Sequence, residues 1–318
     1  MAGKKFLVIV GPTASGKTEL AHKIARDFCG DIITADSRQV YQEMNIGTAK
    51  PHLRVGKSEI RSSKSEFFPC PDIENVRHYG IDLVKPNRYF SVQQWKKMAL
   101  HAINEIQKRK RLPIIEGGTW QWIYALVYDY TIPEVAPNKK LRAELQVQIR
   151  KGGLAPLVKK VLAKDPEAAT FLDIHNPRRV IRALEVMAAT KKPFSQLRQK
   201  GALAFEPLLL GIDKNRANLE KRMTQRLKQQ LRQGLQQEAT QLAKKYGWKA
   251  PGMSGIGYRE WRPYVKGNVS LEDAQTRILC DTIKLAKVQR RMFGKIKSAA
   301  WVRGYKESKR IASAFVNK

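Results

Sequence analysis

Gly11-Pro12-Thr13-Ala14-Ser15-Gly16-Lys17-Thr18 follows directly on the apolar run Phe6-Leu7-Val8-Ile9-Val10. Five consecutive apolar residues closed by a glycine read as a short buried strand, and the eight residues after it fit G-x-x-x-x-G-K-[ST]. Gly11 and Gly16 let the backbone curl around an anion so that successive N–H groups point at phosphate oxygens. Lys17 adds a point charge, and the Thr18 hydroxyl is placed to ligate Mg²⁺. Leu20, Ile24 and Phe28 then fall at helical spacing, so the first turn of that helix aims unpaired N–H groups at the same anion. Strand, loop and helix in register make residues 11–18 a phosphate cradle.

Around this loop the chain has 318 residues, 42% of them hydrophobic, enough for a sizeable core in one large or two smaller domains. Lys and Arg number 60 against 28 Asp and Glu, a formal charge of +32 spread along the whole sequence. The expected partner is a polyanion. Nucleic acid is favoured over membrane, because no apolar run approaches the roughly 20 residues needed to span a bilayer. Lys4-Lys5 and the five apolar residues after them are too short for a signal peptide, so a cytoplasmic protein is expected. Cys29, Cys70 and Cys280 are far apart and the five His form no ligand-spaced cluster with them, which predicts neither disulfides nor zinc. A monomer is the default expectation.

Ile32-Ile33-Thr34-Ala35 reads as a second strand, and its carboxyl end carries Asp36-Ser37-Arg38-Gln39. Open α/β sheets bind ligands at that edge, so Asp36 is a candidate general base or water-mediated metal ligand, with helix capping as the structural alternative. The polar stretch Val55 to Glu74 reads as a surface loop. Ser91 to Arg111 carries apolar residues at Val92, Trp95, Met98, Leu100, Ile103 and Ile106, which predicts a helix with a basic carboxyl-terminal end. Leu112-Pro113-Ile114-Ile115 is a further strand, ending in Glu116-Gly117-Gly118-Thr119. Glu116 is open to reading as a Walker B acid, although the run before it is short and contains proline.

Alternating strands and helices predict a P-loop NTPase-like α/β fold with a doubly wound parallel sheet. From Pro137 to about Phe194 the strand pattern stops and the apolar spacing is helical, which predicts an all-helical module at 137–194 inserted in a core of 1–136 and 195–318. In its last helix Asn176 is an N-cap with Pro177 at the first position, and Arg179 and Arg182 share a face. Leu208 to Ile212 resumes the sheet. The helix that follows, Arg216 to Leu235, is expected to turn Leu219, Met223, Leu227 and Leu231 inward, with Arg222 and Arg226 beside them, one of which can reach the phosphate. Ser254-Gly255-Ile256-Gly257-Tyr258-Arg259 suits close backbone approach and aromatic or guanidinium stacking. A late helix is expected to bury Leu285, Val288 and Met292 and to expose Lys284, Lys287, Arg290, Arg291 and Lys295.

Six ordered stretches, residues 11–18, Asp-Ser-Arg-Gln-Val-Tyr (36–41), Gly-Thr-Ala-Lys-Pro (47–51), Gly-Gly-Thr (117–119), Arg-Ala-Leu-Glu-Val (182–186) and Ile-Gly-Tyr-Arg-Glu (256–260), closely resemble the tRNA dimethylallyltransferase (isopentenyltransferase) family of bacterial type, without a zinc finger. The resemblance implies transfer of a dimethylallyl group from dimethylallyl diphosphate to N6 of the adenosine just 3′ of a tRNA anticodon, with Mg²⁺ as cofactor. It implies Asp36 as base, Thr119 and Arg226 beside the leaving diphosphate, and Gly11 through Thr18 as its cradle. Contacts to the anticodon stem-loop are implied for Asp36, Ser37, Arg38, Gln39, Arg142, Arg178, Arg179, Arg182, Ser254, Gly257, Tyr258, Arg259, Lys287, Gln289, Arg290 and Arg291. Two departures stand out: Trp120-Gln121-Trp122 where the family continues Gly-Leu-Tyr, and a late helix lacking two of the family's arginines. Competing readings are an adenylate isopentenyltransferase acting on a free nucleotide, a P-loop nucleotide kinase using ATP, and a non-enzymatic RNA-binding protein, which would have no use for an acid beside a phosphate loop.

Overall fold

The computed structural model describes residues 4–51, 70–73, 76–130, 135, 137–197 and 205–317. Most of the polar stretch 55–74 lies outside these residues. The chain divides into two compact units, residues 1–127 with 204–318, and residues 128–203.

In the larger unit, β1 (Lys4–Val10) leads through the glycine loop into α1 (Lys17–Asp27) and then β2 (Gly30–Thr34). Next come β3 (Cys70–Ile73), β4 (Val76–Tyr79), α2 (Val92–Lys108), β5 (Leu112–Gly117) and α3 (Trp120–Val127). The sheet has the order β3-β4-β2-β5-β1, continued on the far side of β1 by β6 (Phe205–Ile212) and β7 (Ala300–Val302). Its pairs are parallel except β3 with β4, which are antiparallel. Phe6 to Val10 are all fully buried, as a central strand covered on both faces requires.

Leu7, Ile9, Ile32 and Ile114 pack with Leu20 and Ile24 of α1 on one face. Trp95, Met98, Ile103 and Ile106 of α2 are buried, and Trp95 Nε1 donates to Thr34 O at 2.9 Å. Ser91 starts α2 with a capping box to Gln94. Val10 pairs with Gly117, and Thr34 with Glu116. The carboxyl ends of β1, β5 and β2 therefore lie side by side, and the loops that leave them share one edge of the sheet.

Beyond β6 follow the paired helices of the carboxyl-terminal third. The smaller unit holds α4 (Lys139–Gly152), α5 (Ala155–Lys164) and α6 (Pro177–Thr190) around Leu145, Leu157, Val161, Val180 and Met187. Asn176 caps α6 by accepting from Arg178 N, with Pro177 in its first turn. The larger unit then continues with α7 (Arg216–Arg232), α8 (Leu235–Tyr246), α9 (Trp261–Val265), α10 (Leu271–Phe293) and α11 (Tyr305–Val316).

Two expectations need correction. Residues 70–73 form a strand rather than loop, and β4 and β7 have no counterpart in the sequence reading. On α10 the inward face is Ala286, Gln289 and Phe293, whereas Leu285 and Val288 are 40% and 45% exposed. Helical spacing is the same for both sets, so periodicity alone did not separate the true buried face from one rotated beside it.

Candidate active site

Gly16 sits at φ 95° and caps α1, a left-handed conformation suited to glycine. The loop is braced from outside. Arg222 Nε donates to Ala14 O at 2.8 Å, and Thr13 N donates to Gln289 Oε1 at 2.8 Å. Lys17 Nζ donates to Pro12 O at 2.8 Å. Burial lowers the Lys17 ammonium to about 8 against the opposing pull of Glu116 and Asp36, with Arg226 lowering it further. Ser15 Oγ is buried without a partner.

Glu116 is the acid of this cradle. It is 4% exposed at the end of β5, and its Oε2 accepts from Thr18 Oγ1 at 3.3 Å. Burial pushes its carboxyl up to about 7, opposed by Lys17 and the Thr18 hydrogen bond and reinforced by Asp36. Pro113 lies near the start of β5, opposite Asp31, and the strand forms around it.

Asp36 leaves β2 at the same edge. Its Oδ1 accepts from Arg38 N at 2.8 Å, and it is an electrostatic neighbour of Lys17, Glu116 and Arg226. Arg226 approaches from α7 and donates to Thr48 O at 3.4 Å; burial lowers its guanidinium, offset by Asp36. Thr119 N donates to Ala35 O at 3.0 Å, and Thr119 Oγ1 accepts from Ser37 N at 2.9 Å. This tie needs glycine, since a Cβ on Gly117 would lie 2.2 Å from Ala35 O. Lys17, Thr18, Asp36, Thr119 and Arg226 are thus brought together, with Glu116 and Arg222 added. Glu116 was legible as the acid ending the strand beside the loop; Arg222 was one of two arginines open to that role.

The residues expected to meet RNA divide. Arg38 Nη1 reaches Pro251 O and Ser254 Oγ, each at 3.2 Å, joining two of the expected stretches. Gln39 is buried and donates to Thr48 O. Arg259 is half exposed and pairs with Glu260 and Asp281. Gly257 N donates to Glu260 Oε2. Lys287, Arg290 and Arg291 are exposed on α10, with Arg290 3.6 Å from Asp213.

Tyr258 corrects the stacking reading: its ring is 1% exposed, lies against Gly47, and its hydroxyl donates to Glu238 Oε1 at 2.6 Å. Gln289 is likewise turned inward at 7% exposure. In the smaller unit Arg142 and Arg182 both grip the buried carboxylate of Glu185. Burial would raise that carboxyl, but these donors and Asn138 N outweigh it and hold it below the usual range. Arg178 is exposed, and Arg179 lies 3.7 Å from Asp173.

A glycine loop with the Lys17 ammonium, two carboxylates and two arginines at one sheet edge suit displacement of a phosphorylated leaving group. A family profile described as IPP transferase matches residues 39–296, and one described as Isopentenyl transferase matches residues 4–68. A tRNA dimethylallyltransferase of Roseiflexus sp. (strain RS-1) is 37% identical over 292 residues, covering 92% of this chain and 90% of the relative. Its counterpart in Acetivibrio thermocellus is 37% identical over 300 residues, covering 93% and 90%. The full-length tRNA isopentenylpyrophosphate transferase of Bacillus halodurans matches with a TM-score of 0.68 and 29% identity, over 99% of this chain and 96% of that one. A eukaryotic dimethylallyltransferase acting on tRNA shares the fold at a TM-score of 0.77 and 23% identity, over 99% of this chain and 80% of its own. With the profile spanning most of the sequence and the relatives aligned along nearly all of it, the chain belongs to the IPP transferase family.

Proposed function

We propose that the protein transfers a dimethylallyl group from dimethylallyl diphosphate to N6 of the adenosine 3′ to a tRNA anticodon and releases diphosphate. The observation that carries this reading is the meeting of Asp36 with Lys17, Arg226 and Thr119 at one sheet edge of a chain in this family.

An exocyclic adenine amine is a weak nucleophile because its lone pair is delocalised into the ring. Asp36 takes the N6 proton as the nitrogen electron pair forms the new C–N bond. The allylic C–O bond breaks, and its electrons leave with the diphosphate. Lys17, Arg226 and the loop N–H groups neutralise that charge, and the Ser15 hydroxyl, buried without a partner, is a further donor. Thr119, whose Oγ1 accepts from Ser37 N, donates a hydrogen bond from its hydroxyl to the leaving oxygens. The target base must leave its stack to reach Asp36.

Magnesium suits the donors present. Thr18 Oγ1 backed by Glu116, with Asp36 nearby, offers hard oxygens, and magnesium is commonly held by one or two carboxylates, water and substrate phosphate. Bound there, it would supply Lewis-acid neutralisation of the diphosphate.

Single-turnover transfer of a labelled prenyl group to unmodified tRNA tests the assignment. Asp36→Asn is expected to slow transfer by about 10² to 10⁴ while tRNA retention on a filter stays near that of the unsubstituted protein. Undiminished transfer in the variant would remove Asp36 as the base. No transfer by the unsubstituted protein would remove the reaction itself.

A further inference from the structure

Gln289 stands on α10, one of whose sides carries exposed Lys284, Lys287 and Arg291. The other side grips the active site. Ala286 packs with Leu219 and Met223 in a small core that Ala14 of the phosphate loop joins. Gln289 Oε1 accepts from Thr13 N at 2.8 Å, and its Nε2 donates to Gly118 O at 3.0 Å. Phe293, one turn on, lies edge-on to Trp120 with ring centres 5.6 Å apart. Positions 286, 289 and 293 form one stripe of the helix, and that stripe touches both walls of the cradle: the loop after β1 and the turn after β5.

The side-chain amide satisfies this geometry, accepting from one wall and donating to the other through a single plane. The fit is close, since a Cβ on Gly118 would lie 2.3 Å from Gln289 Nε2. A rigid-body shift of α10 therefore moves Thr13 and the Gly118–Thr119 turn together. Arg222 and Arg226 do not share this property, because each reaches a single backbone carbonyl from α7.

We propose that Gln289 is a positioning residue that couples RNA held on the outer face of α10 to the shape of the diphosphate cradle, so that the two substrates strengthen each other's binding. The inference rests on the function proposed above. By linkage, whatever factor RNA adds to diphosphate affinity, diphosphate adds to RNA affinity.

The test measures the Kd of inorganic diphosphate with Mg²⁺ by calorimetry, with and without saturating unmodified tRNA. The unsubstituted protein is expected to bind diphosphate about 5- to 150-fold more tightly when tRNA is present, the usual range of such coupling. Gln289→Met keeps the volume and removes both hydrogen bonds. It is expected to reduce that factor to about one while tRNA affinity measured alone changes little. Gln289→Glu keeps the acceptor for Thr13 N but sets a carboxylate against Gly118 O, and is expected to lose the coupling as well; it serves if the methionine variant does not fold. A factor unchanged in a folded variant would overturn the proposal, as would a factor of one in the unsubstituted protein. Failure of the unsubstituted protein to bind diphosphate or tRNA at all would instead overturn the function on which it rests.

Discussion

His78 is 1% exposed, neither ring nitrogen has a hydrogen-bond partner, and its ring centre lies 4.7 Å from that of His22. Burial, with His22 as a second cause, pushes its imidazole from the ordinary 6.5 down to about 3. The folded chain therefore takes up this proton less readily than the unfolded one. Its contribution to stability is complete above the ordinary value and is lost as pH falls from there toward about 3. His78→Phe keeps a flat ring and removes the titration. Its urea midpoint is expected to fall less than that of the unsubstituted protein between pH 6.5 and about 4.5; parallel curves would contradict the assignment. Nothing in the residue's neighbourhood in sequence announces this burial. His78 lies in β4, a strand made by pairing with β2 rather than by its own composition, which includes Arg77.

At the scale of elements, strand, loop and first helix were legible because their signals are local: an unbroken apolar run, two glycines, then helical spacing. The stretch 44–48 shows the opposite case. Its backbone donors at Asn45, Ile46 and Gly47 all point to the Glu238 carboxylate of α8, which also receives Tyr258. That arrangement depends on a residue nearly two hundred positions away, and no local pattern contains it. It also explains why Tyr258 is turned inward: a family motif tells that a residue type is required, not which way it faces. Glu238→Ala strands the buried Tyr258 hydroxyl and three N–H groups, and is expected to cost about 1–3 kcal/mol in urea unfolding for the buried hydroxyl alone. In the double variant with Tyr258→Phe the two effects should be less than additive; simple additivity would show that the contact is not a shared one. Gln289 and the inward stripe of α10 were misplaced for a related reason, since an amide in the apolar stripe is tolerated only where two backbone groups receive it.

Over the whole molecule, a charge of +32 on 318 residues is far more than a diphosphate cradle uses. Much of it lies on exposed positions such as Lys284, Lys287 and Arg291. Binding of tRNA is therefore expected to weaken steeply with salt, by about 10³ or more between roughly 50 and 200 mM if six or more phosphates are contacted. Affinity insensitive to salt would contradict a role for this surface in holding RNA. Composition pointed to a polyanion and the loop to a phosphate; neither pointed to the register that sets the carboxyl ends of β1, β5 and β2 side by side, on which the proposed function rests. Among the described residues no helix is long and apolar enough to cross a membrane. The most direct test of the account is to incubate the protein with Mg²⁺, dimethylallyl diphosphate and unmodified tRNA, with AMP and ATP present as competitors, then digest the RNA and weigh its nucleosides by mass spectrometry. The account predicts one dimethylallyl-adenosine per acceptor tRNA, with AMP and ATP unchanged. Prenylated AMP with unmodified tRNA, or consumption of ATP without prenyl transfer, would contradict it.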